Sequence, residues 1–76
     1  MNIKDKKYLK AFGARLQRLR QDRHMSREVL GLECGLGKFT VGLMEDGEFN
    51  PSITTLRALA GGLKVSVLVL MDFDEK

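Results

Sequence analysis

Few side chains in this 76-residue chain could carry chemistry: a single histidine, His24, a single cysteine, Cys34, and a crowd of lysines and arginines near the amino terminus. Catalysis requires a nucleophile and a base within hydrogen-bonding reach of each other, or a set of metal ligands. His24 and Cys34 stand ten residues apart, in different elements, and neither reads as catalytic. No C-x-x-C, H-E-x-x-H or phosphate-loop pattern occurs, so neither a metal nor a cofactor is expected and the chain reads as a non-enzyme. Cys34 falls on an apolar position closing a helix and reads as a buried core thiol, with a redox sensor or metal ligand as the alternative. His24 reads as a helix-terminal cation or a neutral surface group. The charges remain. Residues 1–27 hold nine basic side chains against Asp5 and Asp22, whereas residues 28–76 carry a net −4, for a total of +3. Such polarity suits a polyanionic partner, although a solvated helix face produces the same count.

The elements that must position these charges are constrained by length. A chain this short buries about 60% of its unfolded surface, which leaves room for one domain and none for a deep substrate cavity. Residues 1–76 therefore read as one unit with its core at about 6–71 and short flexible tails, Asp72, Asp74, Glu75 and Lys76 belonging to a solvated tail. A single cysteine forbids an intrachain disulfide, and neither a signal segment nor a run of about 18 apolar residues is present. A cytoplasmic protein with no membrane span is expected. With 43% hydrophobic residues and one proline the chain should fold.

The periodicity is helical throughout. Leu9, Phe12, Leu16 and Leu19 form one stripe of a first helix running to about Arg23, with lysines and arginines on its other faces. Ser26 is an N-cap candidate for a second helix, with Glu28 just inside and Gly35 closing it. Gly37 then opens a third, Lys38 to Asp46, with Val41 and Met44 one turn apart. Gly47 to Pro51 is a loop. Ser52 caps a fourth helix whose stripe is Ile53, Leu56, Leu59, Ala60 and Leu63, with Gly61 and Gly62 in its last turn. Val67 to Phe73 could be a short helix or, from its β-branched residues, a strand; helix is favoured because no partner strand exists. The fold class is all-α, with five helices.

Two short helices joined by a glycine-containing turn, the second exposing its amino-terminal side chains, form the arrangement that places a recognition helix in the major groove of DNA. The residues Phe12-Gly13 through Arg20, Ser26-Arg27-Glu28-Val29-Leu30-Gly31, Gly35-Leu36, Val41, Glu45-Asp46-Gly47, Asn50-Pro51-Ser52, Leu56, Leu59-Ala60, Leu63 and Val65-Ser66 resemble the Cro/repressor, or xenobiotic-response-element, helix-turn-helix family. The resemblance covers about Phe12 to Leu70 and includes phage-type repressors, antitoxins and controller proteins of restriction systems.

The resemblance implies a lambda-repressor-like domain that binds a palindromic operator on double-stranded DNA as a homodimer and regulates transcription, as a repressor in the first reading. The alternative is a protein-interaction module, of antitoxin type, with DNA binding secondary. Similarity to the family places Lys38, Phe39 and Thr40 at the exposed start of the recognition helix, with Gly42 and Leu43 further along it and Gly37 at its cap. Lysine can donate to guanine or hold a phosphate, while the Phe39 ring or the Thr40 methyl can meet a thymine methyl. Phe39 packed back against the second helix is the other possibility. Ser26, Arg27 and Asn50, with Arg15 and Lys10, make up the implied phosphate-positioning set. Arg27 stands where relatives usually have Gln, Gly31 where they commonly have Ala, Gly37 where they often have Ser or Thr, and Glu48 with Phe49 where the loop is often basic. Arg20 and Glu45 are implied to pair between the first and third helices. Val67, Leu68 and Met71 are implied at the dimer contact.

Overall fold

A computed structural model describes residues 5–74. The expected tails at residues 1–4 and at Glu75 and Lys76 lie outside them. The described residues form five helices and no strand: α1 Lys6–Asp22, α2 Arg27–Cys34, α3 Lys38–Glu45, α4 Ile53–Leu63 and α5 Val67–Leu70. None is long and apolar enough to cross a membrane.

Each helix boundary has a local chemical cause. Asp5, Ser26, Ser52 and Ser66 accept the amide N–H of Tyr8, Val29, Thr55 and Val69 respectively, so four of the five amino-terminal turns are closed by a side-chain oxygen. The first four helices also end alike. A residue in the left-handed region follows each of them (His24, Gly35, Gly47 and Lys64), and the next amide reaches back five residues, as from Met25 to the Arg20 carbonyl and from Leu36 to that of Gly31. Met25, Leu36 and Val65, the residues just beyond three of these ends, fold back against the core.

Phe12, Leu16 and Leu19 of α1 meet Leu30 of α2, Val41 and Met44 of α3, Leu59, Ala60 and Leu63 of α4, and Leu70 of α5 in one buried cluster. Burial of each large side chain contributes roughly 1.5–3 kcal/mol. Ile53 departs from its stripe. It is 81% exposed, because it occupies the first turn of α4, beyond the edge of the core. The carboxyl-terminal segment forms a single helical turn rather than a helix running to Phe73. Phe73 itself packs against Tyr8 and Phe12, with ring centroids 5.2 and 6.2 Å away, so the packed body extends past residue 71. Cys34 is only partly buried, at the crossing of α2 over α4. Gly62 makes room for its sulfur there, and desolvation raises the thiol pKa.

Arg15 of α1 and Arg23 at its carboxyl-terminal cap fasten other helices to it. Arg15 donates twice to the Val69 carbonyl in α5, at 3.2 and 3.0 Å. Arg23 donates to the Leu63 carbonyl at the end of α4, at 2.7 Å, and to that of Leu19 at 3.1 Å. Both satisfy carbonyls that a helix end leaves without intrahelical partners.

At Gly13 the backbone of α1 runs against the end of α3, and a Cβ there would strike the carbonyl oxygens of Met44 and Glu45. This close approach sets how α3 lies across α1. Gly13→Ala should therefore cost about 1–3 kcal/mol by overpacking, lowering the thermal midpoint by roughly 4–8 °C for each kcal/mol in a domain of this size. Thermal denaturation followed by circular dichroism checks it; an unchanged midpoint means that the crossing relaxes freely.

Candidate nucleic-acid interface

The carboxylate of Glu45, on the last turn of α3, is 1% exposed and is held by two arginines from two other helices. Arg20 of α1 donates Nε to Oε2 at 2.6 Å and Nη2 to Oε1 at 3.1 Å, and its Nη1 reaches the Met25 carbonyl at 2.8 Å. Arg27, the first residue of α2, donates Nε to the same Oε1 at 3.0 Å. One anion between two cations leaves a surplus positive charge. The Arg20 side chain is 10% exposed and that of Arg27 42%, so the surplus emerges on the Arg27 side.

Arg27 reaches Glu45 across Gly42. A Cβ at Gly42 would lie 3.3 Å from Nη1 of Arg27 and 3.7 Å from its Cζ, so the guanidinium rests on bare backbone of α3. The glycine that weakens the intrinsic propensity of α3 thus seats the side chain that ties α3 to α2. Its signal in the sequence is a glycine inside an eight-residue helix, legible only once Arg27 is known to cross it.

Around this clamp the outer face of α3 is open. Phe39 is 80% exposed, which rules out packing back against α2. Lys38 is exposed, Thr40 and Leu43 are half-buried, and Gly42 is buried beneath Arg27. Arg27, Lys38, Phe39, Gly42, Leu43 and Asp46 line a cleft of about 280 Å³. Gly37 caps α3 in extended conformation with no side-chain hydrogen bond. Ser26 lies at the neighbouring start of α2, its hydroxyl accepting the Val29 amide at 3.0 Å. Asn50 is exposed in the loop after α3, and Lys10 passes beside Gly47.

Other implied positions lie differently. Arg15 is bound to the Val69 carbonyl, away from this face. Glu48 is paired with Lys6 at 2.6 Å, and that hydrogen bond lowers its carboxyl pKa; the ion pair offsets the negative charge of the loop. Leu68 is 84% exposed and Val67 faces outward too, whereas Met71 is packed against the core beside Tyr8, Phe12 and Leu56. Among the described residues no group of three or more His, Cys, Asp and Glu side chains could hold a metal ion.

Breaking a buried pair strands a charge in a poorly solvating place. Glu45→Ala, which leaves Arg20 and Arg27 facing each other, should lose about 3–5 kcal/mol of folding stability. Arg27→Ala keeps the Arg20 pair and should lose no more than about 1 kcal/mol, because its own pair is half open to solvent. Urea titration distinguishes the two; equal losses would contradict the unequal roles.

Residues 11–71 match the family model described as a helix-turn-helix domain. No curated protein matches the chain. Among solved structures, the restriction-modification controller protein C.AhdI from Aeromonas hydrophila is 35% identical, with a TM-score of 0.80 over 82% of this chain and 94% of that one. A transcriptional regulator of the HTH_3 family from Vibrio cholerae is 30% identical, with a TM-score of 0.82 over 87% of this chain and 37% of that one. The clp gene regulator ClgR from Corynebacterium glutamicum, at 22% identity and a TM-score of 0.79, shares the fold. With its recognition-type helix clamped at Glu45 and open along its outer face, the chain belongs to the helix-turn-helix family of DNA-binding regulators, in its Cro/repressor-like branch.

Proposed function

We propose that the protein represses transcription by occupying a palindromic operator as a homodimer in the cytoplasm. The observation that carries this reading is the outer face of α3: a helix fixed to both α1 and α2 through Glu45 keeps Lys38 and Phe39 exposed and Thr40 half-exposed at its start. Those side chains are available to base edges. The surplus cation at Arg27, together with Ser26, Gly37, Asn50 and Lys10, supplies phosphate contacts that set the register on the duplex. The similar structures agree in kind, one being named a restriction-modification controller and another a transcriptional regulator.

The homodimer rests on apolar surface. Val67 and Leu68 of α5 are exposed, as is Ile53 at the start of α4. A twofold dimer through α5 would set two copies of α3 about 34 Å apart, the spacing of successive major grooves on one side of a duplex. A partner-binding module is the second reading, favoured by Val29 and Leu32 exposed on α2 in addition to α5.

Fluorescence anisotropy against the duplex upstream of the gene and a shuffled duplex, at several salt concentrations, tests the first reading. Selective binding that outlasts binding to the shuffled duplex as salt rises is expected. Equal binding that collapses with salt would leave only a generic polyanion surface and favour the partner module. Within a selective complex, Arg27→Ala should weaken all duplexes alike and flatten the salt slope by about one unit. Leu68→Glu should shift sedimentation from dimer to monomer, and an intact dimer would place the interface elsewhere.

A further inference from the structure

We infer that α3 carries a socket for the C5-methyl groups of thymine, and that these methyls, rather than hydrogen-bonding edges, supply most of the base selectivity. This rests on the operator-binding reading above and specifies what the operator must contain.

The groove-facing residues are chemically lopsided. Lys38, Phe39, Thr40, Gly42 and Leu43 include one cation and one hydroxyl, and none of the Arg, Asn or Gln side chains that pair with a base edge through two hydrogen bonds. What they offer is apolar. Phe39 and Leu43 are four residues apart in one helix and so lie one above the other on a single face. They line the same cleft of about 280 Å³, with Phe39 80% exposed. Gly42 contributes no side chain between them, and the guanidinium of Arg27 occupies the space where its Cβ would point.

The surroundings of the cleft select its occupant. Arg27 and Lys38 flank the apolar residues, and Asp46 stands at the far end of α3. An apolar floor between two cations fits a polyanion that presents small apolar groups from within a groove. In the major groove of DNA the exposed apolar group is the thymine methyl, which distinguishes A·T from T·A and from both orientations of G·C. The cations meet the phosphates while Phe39 and Leu43 cover the methyls. Thr40, half-buried, stands outside the cleft.

Replacing thymine by deoxyuridine removes the methyl and leaves every hydrogen-bonding group in the groove unchanged. A duplex enriched from a random-sequence pool by the purified protein is remade with deoxyuridine, and both forms are titrated by anisotropy with the wild-type protein and with Phe39→Ala. The exposed position of Phe39 keeps that variant folded, as circular dichroism will verify. The wild type should lose about fourfold in affinity for each methyl withdrawn from the socket. Phe39→Ala should bind the two duplexes nearly alike. Equal affinity of the wild type for both forms overturns the socket and leaves operator binding intact. An equal loss in wild type and variant also overturns it, because the effect then belongs to the shape of the duplex. Failure to enrich any duplex overturns the operator reading itself, and the socket with it.

Discussion

One buried carboxylate governs this fold. Glu45 sits near the end of an eight-residue helix that is too short to hold its own position, and its charge is tolerable because the Arg20 guanidinium pairs with it through two hydrogen bonds and that of Arg27 adds a third. Those groups come from α1 and from the first turn of α2. Satisfying one side chain therefore fixes the relative placement of three helices, including the two that make up the helix-turn-helix. The backbone of α1 meets α3 at the same end, where Gly13 lies under the carbonyls of Met44 and Glu45, so electrostatics and close packing constrain the same crossing. Binding to DNA requires such rigidity, because contacts to base edges are lost when a helix can rock in the groove.

The basic character of the amino-terminal segment has a different meaning in the folded chain than in the sequence. Arg15, Arg20 and Arg23 turn toward α5, toward Glu45 and toward the end of α4. Lys6 is occupied by Glu48, and Arg18 faces Asp22 at 3.6 Å on the solvent side. Much of the local excess is thus spent on holding helices together. The cations left facing the candidate interface are fewer, Arg27 and Lys38 chief among them, and one of these is itself part of the clamp. A positive face built from so few charges makes the apolar side chains of α3 correspondingly more important to recognition.

Local signals carried the helices, and tertiary geometry carried what the sequence left unread. Ser26, Ser52, Gly35 and Gly47 are legible because capping chemistry acts over three or four residues, and the boundaries of α2 to α4 follow from them. His24 and Lys64 adopt the same left-handed conformation as the two glycines, yet neither residue type announces it. Arg15 and Arg23 could not be told from surface arginines, since their acceptors are backbone carbonyls 54 and 40 residues away. Ile53 fits the stripe of α4 by period and leaves it by position, because periodicity reports a direction around a helix and not where the core ends. The outer face of α3 was legible as a set of residues through the family resemblance; its clamp through Arg27 and its seat at Gly42 needed coordinates.

The central claim is that the clamped α3 presents its outer face, with the start of α2, to duplex DNA. Amide chemical-shift mapping by NMR, with the protein titrated by a selectively bound duplex, tests it most directly. The account predicts that the largest shifts fall on Ser26 and Arg27, on Gly37 to Leu43 and on the loop around Asn50, with α5 undisturbed. Shifts concentrated on the outer face of α1 or on α5, with α3 silent, would contradict it.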